Sequence, residues 1–308
     1  MEILQYTPDM VTPLTQFYNR LIADVPHCYP IREEEMADAI RGVFSDKDDK
    51  QEGENVFEKA FVATVGGAVK AFIHVGLCQI GPKANKEDAG LLRFMGYERG
   101  ARPAGQALLE KAEEYLKAFD INRICAFRSE NKYRFYHLEY ANLSEVLDHV
   151  QALLGFNGYH ARPSWVFLDW EDYDVTPIPA PIPVKLSVNW RQGRGQRPDC
   201  GVIVSQENEQ IGECFSFSGG EYSTHHDAQD WCFTTWLEVE NEFQGHGLGK
   251  FLLQYSLQEM QKIGYRHASV STNWENFRAL LLYSNCGYRV VDRTYEYEKV
   301  LSETSTQK

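Results

Sequence analysis

A glycine-rich hexapeptide, Gln244-Gly245-His246-Gly247-Leu248-Gly249, separates a strand-like run from a helix-like one. The run before it, Trp231 to Val239, is dense in β-branched and aromatic residues, as strands are. After it, Leu248, Phe251, Leu252, Tyr255 and Ile263 recur at roughly helical spacing, and Gly264 stands where a helix would stop. A glycine-rich turn that opens a helix presents several backbone N–H groups, and the helix dipole adds partial positive charge there. Such a turn is suited to phosphate. The spacing is not that of a P-loop, because no Gly-Lys-Ser/Thr follows. It is not that of a dinucleotide fold either, because no Gly-x-Gly-x-x-Gly ends a first strand. The chain is expected to place a different kind of phosphate turn between a strand and a helix.

The rest of the chain limits what such a turn can serve. Its 308 residues suffice for two ordinary domains, and a hydrophobic content of 43% supports real cores. No apolar run approaches the ~18 residues of a membrane span, and residues 1–5 have no basic start of a secretory signal. Seven cysteines lie mostly in apolar runs, with no Cys-x-x-Cys pair, which argues against structural zinc and fits a reducing cytoplasm. A formal charge of −13 disfavours nucleic acid as a partner and is compatible with a cationic substrate.

The chain divides near its middle. Four prolines between Pro177 and Pro183 read as a stiff extended linker over 173–183. The expected division is an N-terminal domain at 1–172, this linker, a C-terminal domain at 184–302 and a polar tail at 303–308. The two sides carry similar features. In the first, strands at 57–65 and 68–75 meet at Gly66-Gly67, a hairpin signal. A strand near 91–96, the segment Arg102 to Ala107, a helical run and a strand at 121–127 follow. In the second, strands at 201–205 and 211–218 flank Glu207-Asn208-Glu209, and the strand, turn and helix described above come next. Gly66 to Gly105 and Asn208 to Gly247 are both 39 residues, which suggests a domain-sized repeat. Two helices are expected early in the first half. Thr12 is placed to cap one, with Pro13 at its first position, and the other covers about 32–44. Only the short loop 191–198 occupies the corresponding place in the second half.

Beyond the turn, the second half continues with Asn276, Ala279, Tyr283, Gly287 and Tyr288. Together with the pattern Gln/Arg-x-x-Gly-x-Gly/Ala at Gln244 to Gly249, this order resembles the GNAT N-acyltransferase superfamily over about residues 200–300. The tandem architecture is similar to that of mycothiol synthase, in which one domain does the work. The resemblance implies an α/β (α+β) fold of two tandem domains, each a mostly antiparallel twisted sheet flanked by helices. It implies acetyl-CoA as co-substrate, without a metal, and direct transfer of acetyl to a primary amine of a small molecule or peptide, catalysed in the C-terminal domain. The turn residues Gln244, Gly245, His246, Gly247, Leu248 and Gly249 would hold pyrophosphate. Backbone N–H groups near Val239 would face the thioester oxygen, and Asn273 or Asn276 would bond pantetheine. Tyr283 stands where the family often has the proton donor to the leaving thiolate, a role for which a phenol is suited by its reference pKa of about 10.

Each assignment has a plainer counterpart. Tyr283 in isolation would read as a core aromatic, but beside Asn276 and Gly287 the catalytic reading is favoured, and Asn276 is equally a helix cap. Glu238 and Glu240 are candidates for the base that deprotonates the amine, against ordinary solvated strand ends. His225-His226-Asp227 lacks spaced metal ligands and reads as a polar loop, although it could line the acceptor site. In the first half, Gln151 and Leu154 stand where the resemblance would place Tyr, and Pro103 removes a backbone donor, so that half is expected to be silent. The missing helices of the second half imply that the N-terminal domain, or a second copy of the chain in a homodimer, supplies part of the acceptor wall. The alternative class is an acyl-CoA-binding sensor without turnover.

Overall fold

The computed structural model describes residues 1–42, 57–82, 84–176 and 178–301. Its elements in chain order are β1 (Glu2–Gln5), α1 (Val11–Leu21), α2 (Glu33–Ile40), β2 (Lys59–Val65), β3 (Ala68–Ile80), β4 (Glu87–Tyr97), α3 (Arg102–Leu116), β5 (Arg123–Ala126), β6 (Leu143–Ser144), α4 (Asp148–Phe156) and β7 (His160–Trp170). They continue with β8 (Lys185–Arg191), β9 (Asp199–Gln206), β10 (Glu209–Ser218), β11 (Trp231–Val239), α5 (Leu248–Lys262), β12 (His267–Asn273), α6 (Phe277–Cys286) and β13 (Arg289–Val300). The chain forms two compact units. Of the described residues, one contains those within 1–136, 141–164 and 294–301, the other 137–140 and those within 165–293.

In the N-terminal unit the sheet runs β1-β2-β3-β4-β5-β13, antiparallel except for β4 against β5. The β2–β3 hairpin turns at Gly66 and Gly67, both at positive φ, where glycine carries no Cβ penalty. Helix α1 buries Leu14, Phe17 and Tyr18. Thr12 does not cap it; the helix begins at Val11, after a short 3-10 turn at Pro8–Met10, so Thr12 and Pro13 already lie in its first turn. Helix α2 begins where its run of glutamates predicts, with the Glu35 carboxylate accepting the Arg32 N–H at 2.9 Å; residues 43 and 44 of the expected helix lie outside the described residues.

The C-terminal unit repeats this plan in the order β8-β9-β10-β11-β12-β7, with β11 and β12 as its parallel pair. Helix α5 packs Leu252, Leu253, Leu257 and Met260 into one cluster with Val202, Val204 and Cys214 of the sheet. The β9–β10 hairpin turns at Glu207 and Asn208, again at positive φ.

Two features depart from the sequence reading. The proline segment is not a free tether. Tyr173 and Val175 are buried in the C-terminal core, Ile178 and Ile182 pack against it, and the Tyr173 hydroxyl donates to Leu257 O at 3.0 Å. Apolar residues alternating with the prolines dock the segment, so it belongs to the C-terminal unit. The closing strands are also exchanged. Tyr297–Val300 of β13 pairs with β5 in the N-terminal unit, while Trp165–Trp170 of β7 pairs with β12 in the C-terminal unit. The compact units therefore differ from the sequence halves 1–172 and 184–302.

An isolated fragment of residues 1–172 lacks the strand that covers β5 and leaves that edge unpaired. It should be insoluble or aggregate, and adding back residues 289–301 in trans should raise its soluble yield. A monodisperse, cooperatively unfolding 1–172 fragment would show that the exchanged strand is dispensable.

Candidate active site

The geometry of the C-terminal unit begins with a bulge in β11. Phe215 stands opposite Trp236 and Ser216 opposite Thr234, so Thr235 is the extra residue. The pairing with β12 covers only Trp231 to Thr234. From Thr235 onward β11 runs on with β10 alone, and a gap opens on its other side. The Glu240 N–H donates to Ile211 O at 2.9 Å. Backbone groups alternate along an antiparallel ladder, so the Val239 N–H points the other way, toward the gap.

The turn after β11 is pinned by one side chain. Gln244 Nε2 donates to Val239 O at 2.8 Å and to Asn241 Oδ1 at 3.1 Å, while Arg278 donates to Gln244 Oε1 at 2.6 Å. Gly245 and Gly247 have φ of 82° and 89°. A Cβ at either would meet nothing within 4 Å, so glycine serves the backbone conformation here rather than packing. Gly247 caps α5 without a side-chain bond, and no acidic residue stands in the first turn. The first N–H groups of α5 thus have no capping side chain, and the dipole's positive end faces out. Leu248 is buried and anchors the helix, and His246 is exposed. A Cβ at Gly249 would lie 3.8 Å from Val239 Cγ2 and 3.9 Å from Leu282, so Gly249 faces both the strand end and α6.

Asn276 caps α6, its Oδ1 accepting the Ala279 N–H at 3.1 Å, and Asn273 Oδ1 accepts the Glu275 N–H at 3.0 Å. Both oxygens are used locally, so only the Nδ2 groups remain as donors for a bound molecule. Tyr283 is 6% exposed, with its ring 6.0 Å from that of Tyr288. Burial pushes its pKa above the usual phenol value, with smaller contributions from Cys214 and Cys286. The phenol therefore stays protonated through the neutral and mildly basic range.

The opposite face of this sheet follows from the register. Phe215 and Glu213 on β10 stand opposite Trp236 and Glu238 on β11, pointing away from the α5 side. The indole N–H of Trp236 donates to Glu238 Oε2 at 3.1 Å. Farther along the same face, Phe233 stacks with Phe167, and His137 lies 4.2 Å from Phe167. His137 Nε2 is 3.3 Å from Asp292 Oδ2, both fully buried. The Tyr222 hydroxyl donates to Glu139 at 3.0 Å. Residues 137–140, from the N-terminal half of the sequence, thus belong to this unit and cover part of the face that lacks helices of its own. The loop before β11 gathers His225, His226 and Asp227, with donor atoms within 4.8 Å of one another. His226 Nε2 is 3.0 Å from Asp227 Oδ1.

The N-terminal unit closes the same features. Its bulge residue is Arg93, between His74↔Phe94 and Val75↔Leu92. Arg93 is 8% exposed, pairs with Glu58 and donates to Asn131 O. His74 lies 3.3 Å from Glu58 and 2.8 Å from the Tyr133 hydroxyl. The expected turn Arg102 to Ala107 is not a turn: α3 begins at Arg102, and Gly105 lies inside it. A Cβ at Gly105 would come within 2.6 Å of the Tyr97 ring and 3.1 Å of Leu153, so this glycine exists for packing. The 39-residue match therefore joins glycines that do different jobs.

The acetyltransferase (GNAT) family matches residues 163–288. Among solved structures, a tandem GNAT protein from the clavulanic acid biosynthesis pathway, determined without acetyl-CoA, is similar over 99% of both chains, with a TM-score of 0.64 and 14% identity. A GCN5-related N-acetyltransferase from Sphaerobacter thermophilus matches 97% of this chain and 95% of its own, with a TM-score of 0.57 and 13% identity. A GCN5-related glucosamine N-acetyltransferase region of a fungal multi-domain β-N-acetylglucosaminidase matches 96% of this chain but 38% of that one, with a TM-score of 0.61 and 13% identity. No curated protein matches in sequence. The chain has the tandem GNAT fold. Among the described residues no helix is long and apolar enough to cross a membrane.

The two helical glycines give opposite expectations. Gly105→Ala should destabilise the protein by about 1–3 kcal/mol through overpacking against Tyr97. Gly249→Ala should be neutral or stabilising by up to about 1 kcal/mol, because its new methyl meets only ordinary contacts and helix propensity improves. Denaturant titration of both variants checks this, and equal effects would contradict it.

Proposed function

We propose that this protein transfers an acetyl group from acetyl-CoA to a primary amine by direct attack in a ternary complex, with catalysis in the C-terminal unit. The observation that carries the reading is the conjunction at the end of β11. A gap-facing Val239 N–H and the α5 N-terminus without a capping side chain belong to one strand-turn-helix assembly, and a protonated Tyr283 on α6 shares the core cluster against which Val239 packs. The first N–H groups of α5, from Gly247 to Gly249, would receive pyrophosphate. Val239 N–H would donate to the thioester oxygen as negative charge develops there. Asn273 and Asn276 would offer their Nδ2 groups to pantetheine.

The neutral amine attacks the thioester carbon, the C–N bond forms and the C–S bond breaks. Tyr283 gives its proton to the departing sulfur, and Glu238 receives the proton lost by nitrogen and releases it to solvent. The phenol is then reprotonated, so that amine and thioester become amide and thiol with no net proton change. All seven cysteines are buried, which leaves no exposed thiol for an acyl-enzyme route. The N-terminal unit is silent in this reading. Tyr97 fills its strand end, Arg93 is locked at its bulge, and Pro103 lies in the first turn of α3.

Tyr283→Phe should lower kcat by roughly 10²-fold or more while leaving acetyl-CoA affinity within about twofold, since a general acid acts in the transition state. Thiol release at wild-type rate would remove Tyr283 from the mechanism. Gly247→Asp should abolish acetyl-CoA binding measured by calorimetry, because a carboxylate would stand in the phosphate path on a backbone strained at positive φ. Wild-type affinity in the folded variant would place the phosphates elsewhere.

A further inference from the structure

The end of β11 turns two backbone groups toward the gap, and only one of them suits the reaction. The Glu240 N–H belongs to the ladder with β10, donating to Ile211 O at 2.9 Å. A residue's own N–H and C=O point to the same side of a strand, so the Val239 N–H and C=O both face the other way, into the gap. The N–H is a donor for an oxygen that gains negative charge. The C=O is its opposite: left bare, it would set partial negative charge beside that oxygen and work against it. In this structure the carbonyl is occupied by a donor of its own, Gln244 Nε2 at 2.8 Å.

That bond exists only if the Gln244 amide faces the right way. A primary amide has a donor end and an acceptor end of nearly equal shape, and a half turn exchanges them. Turned over, it would aim an oxygen at Val239 O. The contact with Asn241 Oδ1 at 3.1 Å does not choose, because a second amide can turn to match the first. Arg278 does choose. A guanidinium donates and never accepts, and Arg278 donates to Gln244 Oε1 at 2.6 Å. The amide oxygen is therefore drawn toward α6 and the NH2 group toward the strand. Arg278 is exposed, and among the described residues no carboxylate pairs with it. Its charge is directed at a neutral amide instead. Such a charge-assisted bond is stronger than a neutral one, and it polarises the bond that follows.

We propose that Arg278 is a positioning residue: by fixing the Gln244 amide it keeps Val239 O occupied and the strand end aligned, so that the Val239 N–H alone meets the thioester oxygen. The proposal rests on the acetyltransferase reading and adds to it a residue that acts through another side chain.

The test uses the full chain with Arg278→Met, which removes the donor, and Arg278→Lys, which keeps one. Three quantities are measured: calorimetric affinity for acetyl-CoA, kcat from thiol release with the fastest of ethanolamine, benzylamine, glycinamide and lysine, and hydrogen exchange of the bonded Glu240, Phe243 and Gln244 amides. Arg278→Met should lower kcat at least about tenfold, a change of about 1.4 kcal/mol in the barrier, and leave acetyl-CoA Kd within about threefold. It should speed exchange of the three amides at least about tenfold without changing exchange in the rest of the chain. Arg278→Lys should recover most of each loss. Gln244→Glu should lower kcat as far as Arg278→Met does, although it keeps a partner for Arg278, because a carboxylate cannot donate to Val239 O. The double variant Arg278→Met with Gln244→Met should be no slower than Gln244→Met alone, as two links of one chain require. Acetyl-CoA affinity lost tenfold with kcat unchanged would make Arg278 a phosphate ligand and overturn the assignment. Unchanged kcat and unchanged exchange would also overturn it. If none of the four amines releases thiol with the wild type, exchange decides alone. Faster exchange in Arg278→Met, rescued in Arg278→Lys, keeps the lock and leaves the failure with the acetyltransferase reading; unchanged exchange overturns the lock itself.

Discussion

The structure of the candidate site depends on a strand losing one partner while keeping the other. Up to Thr234, β11 is hydrogen-bonded on both sides; after the extra residue Thr235 it is bonded only to β10. A bulge sharpens local twist and breaks a ladder, and here it exposes backbone donors on one edge without exposing a whole strand. That edge is tolerable because the gap is short and ends in a turn held by Gln244, which returns a donor to Val239 O. The positions of α5 and Tyr283 follow from where this gap opens.

The two units show how small substitutions decide whether the same plan is open or closed. Each has a bulge in the strand before its long helix. In the N-terminal unit the bulge carries Arg93, held by Glu58, and the strand ends in Tyr97, whose ring lies against Gly105 and whose hydroxyl donates to His149 O at 2.8 Å. In the C-terminal unit the corresponding residues are Thr235 and Val239, and the connection to the helix is longer. It spans residues 240–247, against 98–101 in the other unit. The extra residues let the chain swing out and turn back through two left-handed glycines. A shorter connection with Pro103 just inside the helix cannot present the same row of donors.

Local signals carried most of what the sequence revealed. Strand β11 runs from Trp231 to Val239 as its composition predicts, and both hairpins turn at the residues that tolerate positive φ. Asn276 and Gly287 bound α6 for capping reasons that need no knowledge of the rest of the fold. The misreadings concern distant partners. Gly105 looked like a turn glycine because sequence cannot show Tyr97 lying across it. The prolines at 177–183 looked like a tether because composition does not register that Tyr173 and Val175 find a core. Arg278 was missed for the same reason: its bond to Gln244 spans 34 residues.

The exchanged strands have a consequence for how the chain is made. The N-terminal unit is closed by β13 residues up to Val300, which the ribosome adds only after all of the C-terminal unit. Domains generally fold in the order of synthesis. Here the first-made sheet must wait with β5 uncovered while the whole C-terminal region is translated. The aromatic interior around Phe94 and the buried Glu58–His74–Arg93 group can assemble early, but the last ladder cannot. Final folding is therefore a late, whole-chain event, and a stalled or truncated nascent chain exposes a bare sheet edge to chaperones and proteases.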